Sequence, residues 1–172
     1  MIAADLYLNE SDYRCGERTF QILTQAVGRS GRGRKQGRAI IQTYHPEHYS
    51  IQAAAVQNYD AFYQEEMSYR LLLDYPPAAH MMAVLGSSEE EEILSRGMYF
   101  IEKFVRKVYP SADLHVIGPA AAPVGKVKDV YRRLLYLKHE NYETLVHIKD
   151  KIEKYVEINS GFRKIYIQFD FT

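Results

Sequence analysis

The chain has a single cysteine, Cys15, no secretory signal at its N-terminus, and no apolar run near the roughly 20 residues of a membrane helix. One thiol excludes an internal disulfide and a cysteine metal cluster, and it suits a reducing cytoplasm. Neither sign of charge is in surplus, since 22 Lys plus Arg balance 22 Asp plus Glu over 172 residues. Net charge therefore gives no ground for expecting a nucleic-acid partner. Internal repeats and low-complexity tracts are absent too, as is the Gly-x-x-x-x-Gly-Lys-Ser/Thr loop that cradles phosphates. That last absence predicts a chain that neither binds ATP well nor hydrolyses it alone. What remains is 47% hydrophobic and 26% charged, a globular composition with room for one domain or a small domain plus a fragment.

The balanced charge is unevenly spread. From Arg18 to Pro46 every formal charge is positive: Arg18, Arg29, Arg32, Arg34, Lys35 and Arg38. A second basic stretch holds Lys126, Lys128, Arg132 and Arg133, interrupted only by Asp129, while acid gathers at Glu89 to Glu92. Segregation of this kind sets up local fields that a net charge of zero hides.

Along the chain, Met1 to Leu8 reads as a strand with no partner before it. Asp12 is placed to cap a helix whose apolar stripe is Phe20, Leu23, Ala26 and Val27, ending where Gly28, Gly31 and Gly33 make continuation costly. Ala39 to Tyr44 reads as a buried strand. Strand, helix and strand cannot bury both faces of a sheet, so residues 1–45 look like the end of a larger α/β lobe. Pro46 suits the first turn of a short helix to about Gln57. Asn58 caps another, with Tyr59, Phe62, Tyr63, Met67 and Arg70 on one face, which Asp74-Tyr75-Pro76-Pro77 stops. Residues 46–75 are thus a helical connector. The remainder, 76–172, predicts strands at 81–86, 114–118, 130–138 and 164–171, with helices at 89–108 and 142–158. The first of these helices carries Ile93, Phe100, Ile101, Phe104, Val105 and Val108 as its stripe. A long loop rich in Ala, Gly and Pro, 119–129, joins the middle strands. The order β-α-β-β-α-β is that of a ferredoxin-like sandwich, an α+β fold of the ribosomal S10 kind.

Gln25-Ala26-Val27-Gly28-Arg29-Ser30-Gly31-Arg32 is the stretch that carries chemistry. Two arginines three apart, with glycines between and beside them, bring planar cations close to the backbone with little shielding. A guanidinium engages two phosphate oxygens at once and stays charged at any working pH. Charge spreads over the transferred phosphoryl group, so a positioned arginine favours the transition state over the ground state.

The octet resembles motif VI of superfamily 2 helicases, in which a second RecA-like lobe supplies arginines to ATP held on the first. The resemblance makes Arg32 the finger arginine, Arg29 a second phosphate-facing arginine and Gln25 the opening polar residue, with Ala26 where many members have arginine. The flanks Asp12-Tyr13-Arg14, Glu17-Arg18-Thr19-Phe20-Gln21 and Gln42-Thr43-Tyr44-His45-Pro46-Glu47-His48 narrow it to the C-terminal part of the PriA family, the bacterial primosomal protein N′. Tyr59 to Glu66, Arg70 with Tyr75-Pro76-Pro77, Gly118-Pro119-Ala120, Ala122-Pro123, and Tyr131-Arg132 with Leu134, Leu135 and Lys138 continue it. Ala78 departs from the aromatic usual there, and Phe171-Thr172 from the usual Asp-Pro ending.

That resemblance implies a 3′-to-5′ DNA helicase that restarts replication at stalled forks through primosome assembly, in the bacterial cytoplasm and near the nucleoid. It implies ATP and Mg in the full-length parent and zinc in a parent region absent here, with no cofactor in this fragment. The implied partners are branched and single-stranded DNA, single-strand binding protein and other primosome proteins, and no membrane. Lys126, Lys128, Arg132 and Arg133 are the candidate phosphate contacts, and Tyr131 beside them could stack on a base. His45, Glu47 and His48 are separated by a proline turn and make no metal site, and the other histidines are dispersed. Two rivals remain: a stand-alone S10-like nucleic-acid binding module without catalysis, and a small-molecule regulatory domain, which no Gly-rich turn at a helix start supports.

Overall fold

A computed structural model describes residues 4–9, 12–30 and 38–172. The chain divides into two compact units, Met1–Leu72 and Leu73–Thr172. Among the described residues are five α-helices and one four-stranded antiparallel sheet. None of the helices is long and apolar enough to cross a membrane.

The first unit packs α1 (Cys15–Ser30), α2 (Tyr49–Ala55) and α3 (Tyr59–Leu72) around Phe20, Leu23, Ile51, Ala54 and Phe62. The rings of Phe20 and Phe62 stack at 4.2 Å. Asp12 organises the start of α1: its carboxylate accepts the Arg14 amide at 2.9 Å and holds Arg18 at 2.9 Å. Asn58 accepts the Ala61 amide at 3.0 Å, the cap its position predicts. Between the helices runs a polar chain. Tyr49 donates to Glu66 at 2.6 Å, Arg70 donates to the same carboxylate at 2.7 Å, and its other arm reaches Glu17 at 2.8 Å. Burial alone would lower the Arg70 pKa, but the two carboxylates outweigh it and the pKa rises. The Tyr49 hydroxyl is pushed up by burial and by its bond to Glu66.

The expected strands of this unit do not form among the described residues. Ala4–Leu6 is a 3-10 turn, and 39–44 forms neither helix nor strand, joined to it by Ala4 N–H donating to the Gln42 carbonyl at 3.2 Å. The tie is a side chain instead: Asp5 accepts from the Thr43 hydroxyl and, at 3.0 Å, from the Tyr44 amide, which lower its pKa against the opposing effect of burial. Ile41 packs on the small core and Ile40 stays exposed, so one apolar side chain of the pair is buried. The helix expected from Pro46 begins at Tyr49, because His48 supplies the cap by accepting the Ser50 amide. In α3, Phe62 and Glu66 are the buried positions, while Tyr59 and Tyr63 are exposed.

The second unit runs β1 (His80–Ser88), α4 (Glu91–Val108), β2 (His115–Val127), β3 (Val130–His139), α5 (Tyr142–Ile158) and β4 (Tyr166–Phe171). The sheet order is β2-β3-β1-β4. Met82 and Val84 of β1, with Leu135 and Leu137 of β3, meet Leu94, Met98, Ile101 and Val105 of α4 and Leu145, Ile148 and Ile152 of α5. Each such side chain contributes roughly 1.5–3 kcal/mol when fully buried. The α4 stripe is rotated from the expected one, with Leu94 and Met98 inside and Phe100 exposed. Asn141 starts α5 by accepting the Glu143 and Thr144 amides.

The long loop of 119–129 is instead strand. β2 continues to Val127, and Lys128 and Asp129, both at positive φ, make a two-residue turn of the kind that matches strand twist. Pro119 and Pro123 are tolerated because β2 is an edge strand, where a missing N–H costs no ladder bond. Register shifts leave Gly118-Pro119 and residues 122–125 bulged. Gly118 sits at φ 104°, and a side chain there would meet the Leu134 carbonyl at 2.8 Å.

At Gly86 the side chains of α4 press against the sheet: an added methyl would run into the Met98 sulfur and lie 3.0 Å from a Leu94 methyl. Gly86→Ala is expected to destabilise the chain by about 1–3 kcal/mol. Gly161→Ala, where the added methyl meets nothing within 4 Å, should change it little. Urea unfolding of both variants checks the pair, and equal midpoints would remove the close-packing account.

Candidate functional site

Helix α1 carries the first group of candidates. Gln25 and Arg29 are four residues apart in its last turns, so they share one side of the helix, and both are exposed. α1 extends to Ser30, so Arg29 is helical and not in a loop. Its cation lies at the C-terminal, electronegative end of the helix dipole. Arg32 lies outside the described residues, as do Gly31, Gly33, Arg34 and Lys35. The start of the same helix is anchored through Asp12 and through Glu17, which Arg70 binds.

The second group lies on the β2–β3 hairpin and is divided among surfaces. Successive strand residues point to opposite faces of a sheet. Tyr131 and Arg133 share the helix-covered side with Leu135 and Leu137, while Arg132 points to the other. Lys126, opposite Tyr131 in register, joins the helix side. Its ammonium pairs with Asp129 at 2.9 Å and stands 4.7 Å above the Tyr131 ring. Asp129 first, then Tyr131, raise its pKa. Tyr131 is therefore a half-buried ring already covered on one side. Arg133 reaches toward Glu91 at 3.9 Å. Lys128 projects at the turn and Arg132 on the opposite face, and neither makes an ion pair among the described residues. The four cations do not form one basic strip.

A third feature had no signal in the sequence pattern. A cavity of about 340 Å³ opens beside the end of β3, lined by Asp74, Asp113, His115, Lys138, His139 and Glu140. Lys138 is 4% exposed. Its ammonium donates to the Leu73 carbonyl at 2.8 Å and lies 3.4 Å from the centre of the Tyr75 ring. Asp74 pairs with His115 at 3.2 Å. Burial lowers the Lys138 pKa, and nearby Asp74 opposes this in part. The sequence marks Tyr75-Pro76-Pro77 as a helix stop and a point of family resemblance; the structure adds that Tyr75 forms the lid over this buried cation.

The face of the sheet without helices was also missed. It carries Tyr166 and Gln168 of β4, Leu85 of β1, Arg132 and Tyr136 of β3, and Ile117 of β2. Strand alternation was the available signal, but the register that lines these residues up was not.

Comparison with known proteins gives a consistent result. Residues 72–171 match the family described as Primosomal protein N C-terminal domain. The chain is 36% identical over 172 residues to the "Replication restart protein PriA" of Bacillus subtilis (strain 168), covering 99% of the chain and 21% of that protein. It is 35% identical over 156 residues to the protein of that name from Synechocystis sp., covering 90% and 18%. The Borreliella burgdorferi protein is 31% identical over 172 residues, covering 99% and 25%. The chain thus spans about a fifth to a quarter of the length of these relatives.

The buried Lys138 makes stability depend on alkaline pH. Unfolded lysine titrates at 10.5, and the folded value is lower. Below the folded pKa the amine is charged in both states and the burial penalty is fully present. Between the two values the folded state loses its proton first, so the unfolded state binds more protons and stability rises with pH. Relative to Lys138→Met, which cannot titrate, the parent chain should gain stability between pH 7 and pH 10 in urea unfolding. Parallel pH profiles for the two would show that Lys138 is solvated.

Proposed function

The chain belongs to the family of Primosomal protein N C-terminal domains, and on that premise we propose that it is part of an ATP-driven 3′-to-5′ DNA helicase of replication restart. In this reading residues 1–45 are the end of a second RecA-like lobe, and 76–172 are a DNA- and partner-binding domain of S10-like build. The observation that carries it is the match to proteins named for replication restart along 99% of the chain. The exposed side of α1 bearing Gln25 and Arg29 supports the nucleotide-facing role of that helix. The β-α-β-β-α-β order supports the S10-like comparison, although the β2–β3 turn has two residues and not a long loop.

In the proposed mechanism the other lobe of the parent would hold ATP and Mg, and a separate region of the parent absent here would hold zinc. Arg32 would then contact the phosphoryl group as charge develops on it, with Arg29 as the second phosphate-facing arginine and Gln25 beside it. Branched and single-stranded DNA are the proposed nucleic-acid partners, with single-strand binding protein and other primosome proteins as protein partners, in the bacterial cytoplasm. On the sheet unit, Lys128 and Arg132 are the cations available for phosphate. Lys126 and Arg133 first have to exchange Asp129 and Glu91 for DNA.

Arg32→Ala in the full-length parent should lower DNA-stimulated ATP hydrolysis on the order of 10³-fold. Arg34→Ala should leave it nearly unchanged. Steady-state ATPase assays decide the matter, and a loss below about threefold for Arg32→Ala would remove the finger assignment.

A further inference from the structure

We propose that the face of the sheet turned away from α4 and α5 binds single-stranded nucleic acid, with Tyr166 stacking on a base and Arg132 holding phosphate. The inference rests on the DNA-binding reading above and gives it a surface and a strand preference.

The strand register assembles this surface. Ser87 pairs with Tyr166 on one side and with Arg132 on the other, so ring and guanidinium flank one residue of β1. Two strand spacings separate them, about 10 Å. The next row on this face is Gln168, Leu85 and Leu134, and the next is Asp170, Ala83, Tyr136 and Ile117. A low apolar floor of Leu85, Leu134 and Ala83 thus lies between an outer tyrosine and a central one. Tyr166 is 64% exposed and Ile117 49% exposed, although both stand on strands. Both helices bury the opposite face, which holds the hydrophobic core.

Charge selects the occupant. Duplex binding depends on many phosphate contacts, each releasing counterions. This face offers Arg132, which has no ion pair among the described residues. The other cation of the same face, Lys138 in the row of His115, is 4% exposed beneath Tyr75 and out of reach of phosphate, and Asp170 stands in the row between them. That is too little charge to hold a duplex whose base faces are hidden by stacking. A single strand presents those faces, and base–aromatic stacking on a sheet with one nearby cation is a sufficient basis for binding.

Fluorescence anisotropy of the 172-residue chain with a labelled oligothymidine of about 15 nucleotides and with a matched duplex, over a salt series, tests this. The single strand should bind more tightly, with a log–log salt slope no steeper than about −2. Tyr166→Ala should weaken binding about fivefold or more, Tyr166→Phe should retain it, and Arg132→Ala should flatten the salt slope. Tyr99→Ala, on the exposed side of α4, should be silent. Thermal melts are expected to be unchanged for Tyr166→Ala, because that side chain is exposed. Duplex preference that follows Lys128 would overturn the inference and leave the DNA-binding reading standing. Binding that follows Arg29 and its neighbours would overturn it as well. No binding to either probe would sink both. A Tyr166-dependent dimer in sedimentation, without DNA binding, would assign the face to a second copy of the chain.

Discussion

One-sided burial of the four-stranded sheet is the constraint on which the second unit depends. Met82, Val84, Leu135 and Leu137 are fully buried against α4 and α5. Strand residues alternate, so fixing these four also fixes the orientation of every neighbour. A one-residue slip of β3 would bring Leu134 and Tyr136 to the core and expose Leu135 and Leu137. The burial at stake, several side chains at roughly 1.5–3 kcal/mol each, rivals the whole stability of an ordinary domain. The position of each polar residue on this unit follows from that apolar decision. Arg132 and Arg133 are adjacent in sequence, yet they serve different faces for this reason alone.

Most of the sheet unit was legible in the sequence. Its six elements in β-α-β-β-α-β order follow from period-2 and period-3.6 patterns, and the caps at Asn58 and the stop at Pro76 follow from local chemistry. The misreadings share a cause: each depended on a partner distant in sequence. Residues 119–129 looked like a loop because proline and glycine interrupt strands, but an edge strand paired on one side accommodates both. Residues 39–44 looked like a strand because they are apolar and β-branched, but a strand requires a ladder, and here Asp5 supplies side-chain bonds instead. The α4 stripe was chosen through Phe100. The register of Gly86 and Met98 rotates the helix so that Leu94 and Met98 point inward.

The candidate site was legible to a different degree on each unit. The Gln25–Arg32 octet declares itself by residue type and spacing, because phosphate chemistry needs closely spaced arginines. The structure adds that Gln25 and Arg29 lie on one side of a helix whose base is tied to α3 through Glu17, Arg70 and Glu66. On the hairpin, sequence counts four cations and the structure leaves two of them without a carboxylate. Lys126 is three residues from Asp129, and the turn that brings them together is set by positive φ at two consecutive non-glycine residues, which composition does not signal. Arg133 meets Glu91 across 42 positions of sequence, a pairing that only the helix-on-sheet packing creates.

In the proposed reading, this neutralisation bears on what kind of nucleic acid the unit would hold. Exposed ion pairs are individually weak, about 0–1 kcal/mol, so the pairs of Lys126 with Asp129 and of Arg133 with Glu91 cost little to exchange. A phosphate that displaces Asp129 or Glu91 gains one attraction and loses another, so its net effect on affinity is small. Binding that relied on those cations would be weak and salt-sensitive. Binding that relies on aromatic faces and one unpaired guanidinium escapes that competition, since Tyr166 and Arg132 have no carboxylate to displace among the described residues. The alternation imposed by the core therefore separates Lys126 and Arg133, compensated beside the helices, from Arg132 on the face without helices. In the proposed reading, so few available cations on that face limit duplex affinity without preventing recognition of an unpaired strand.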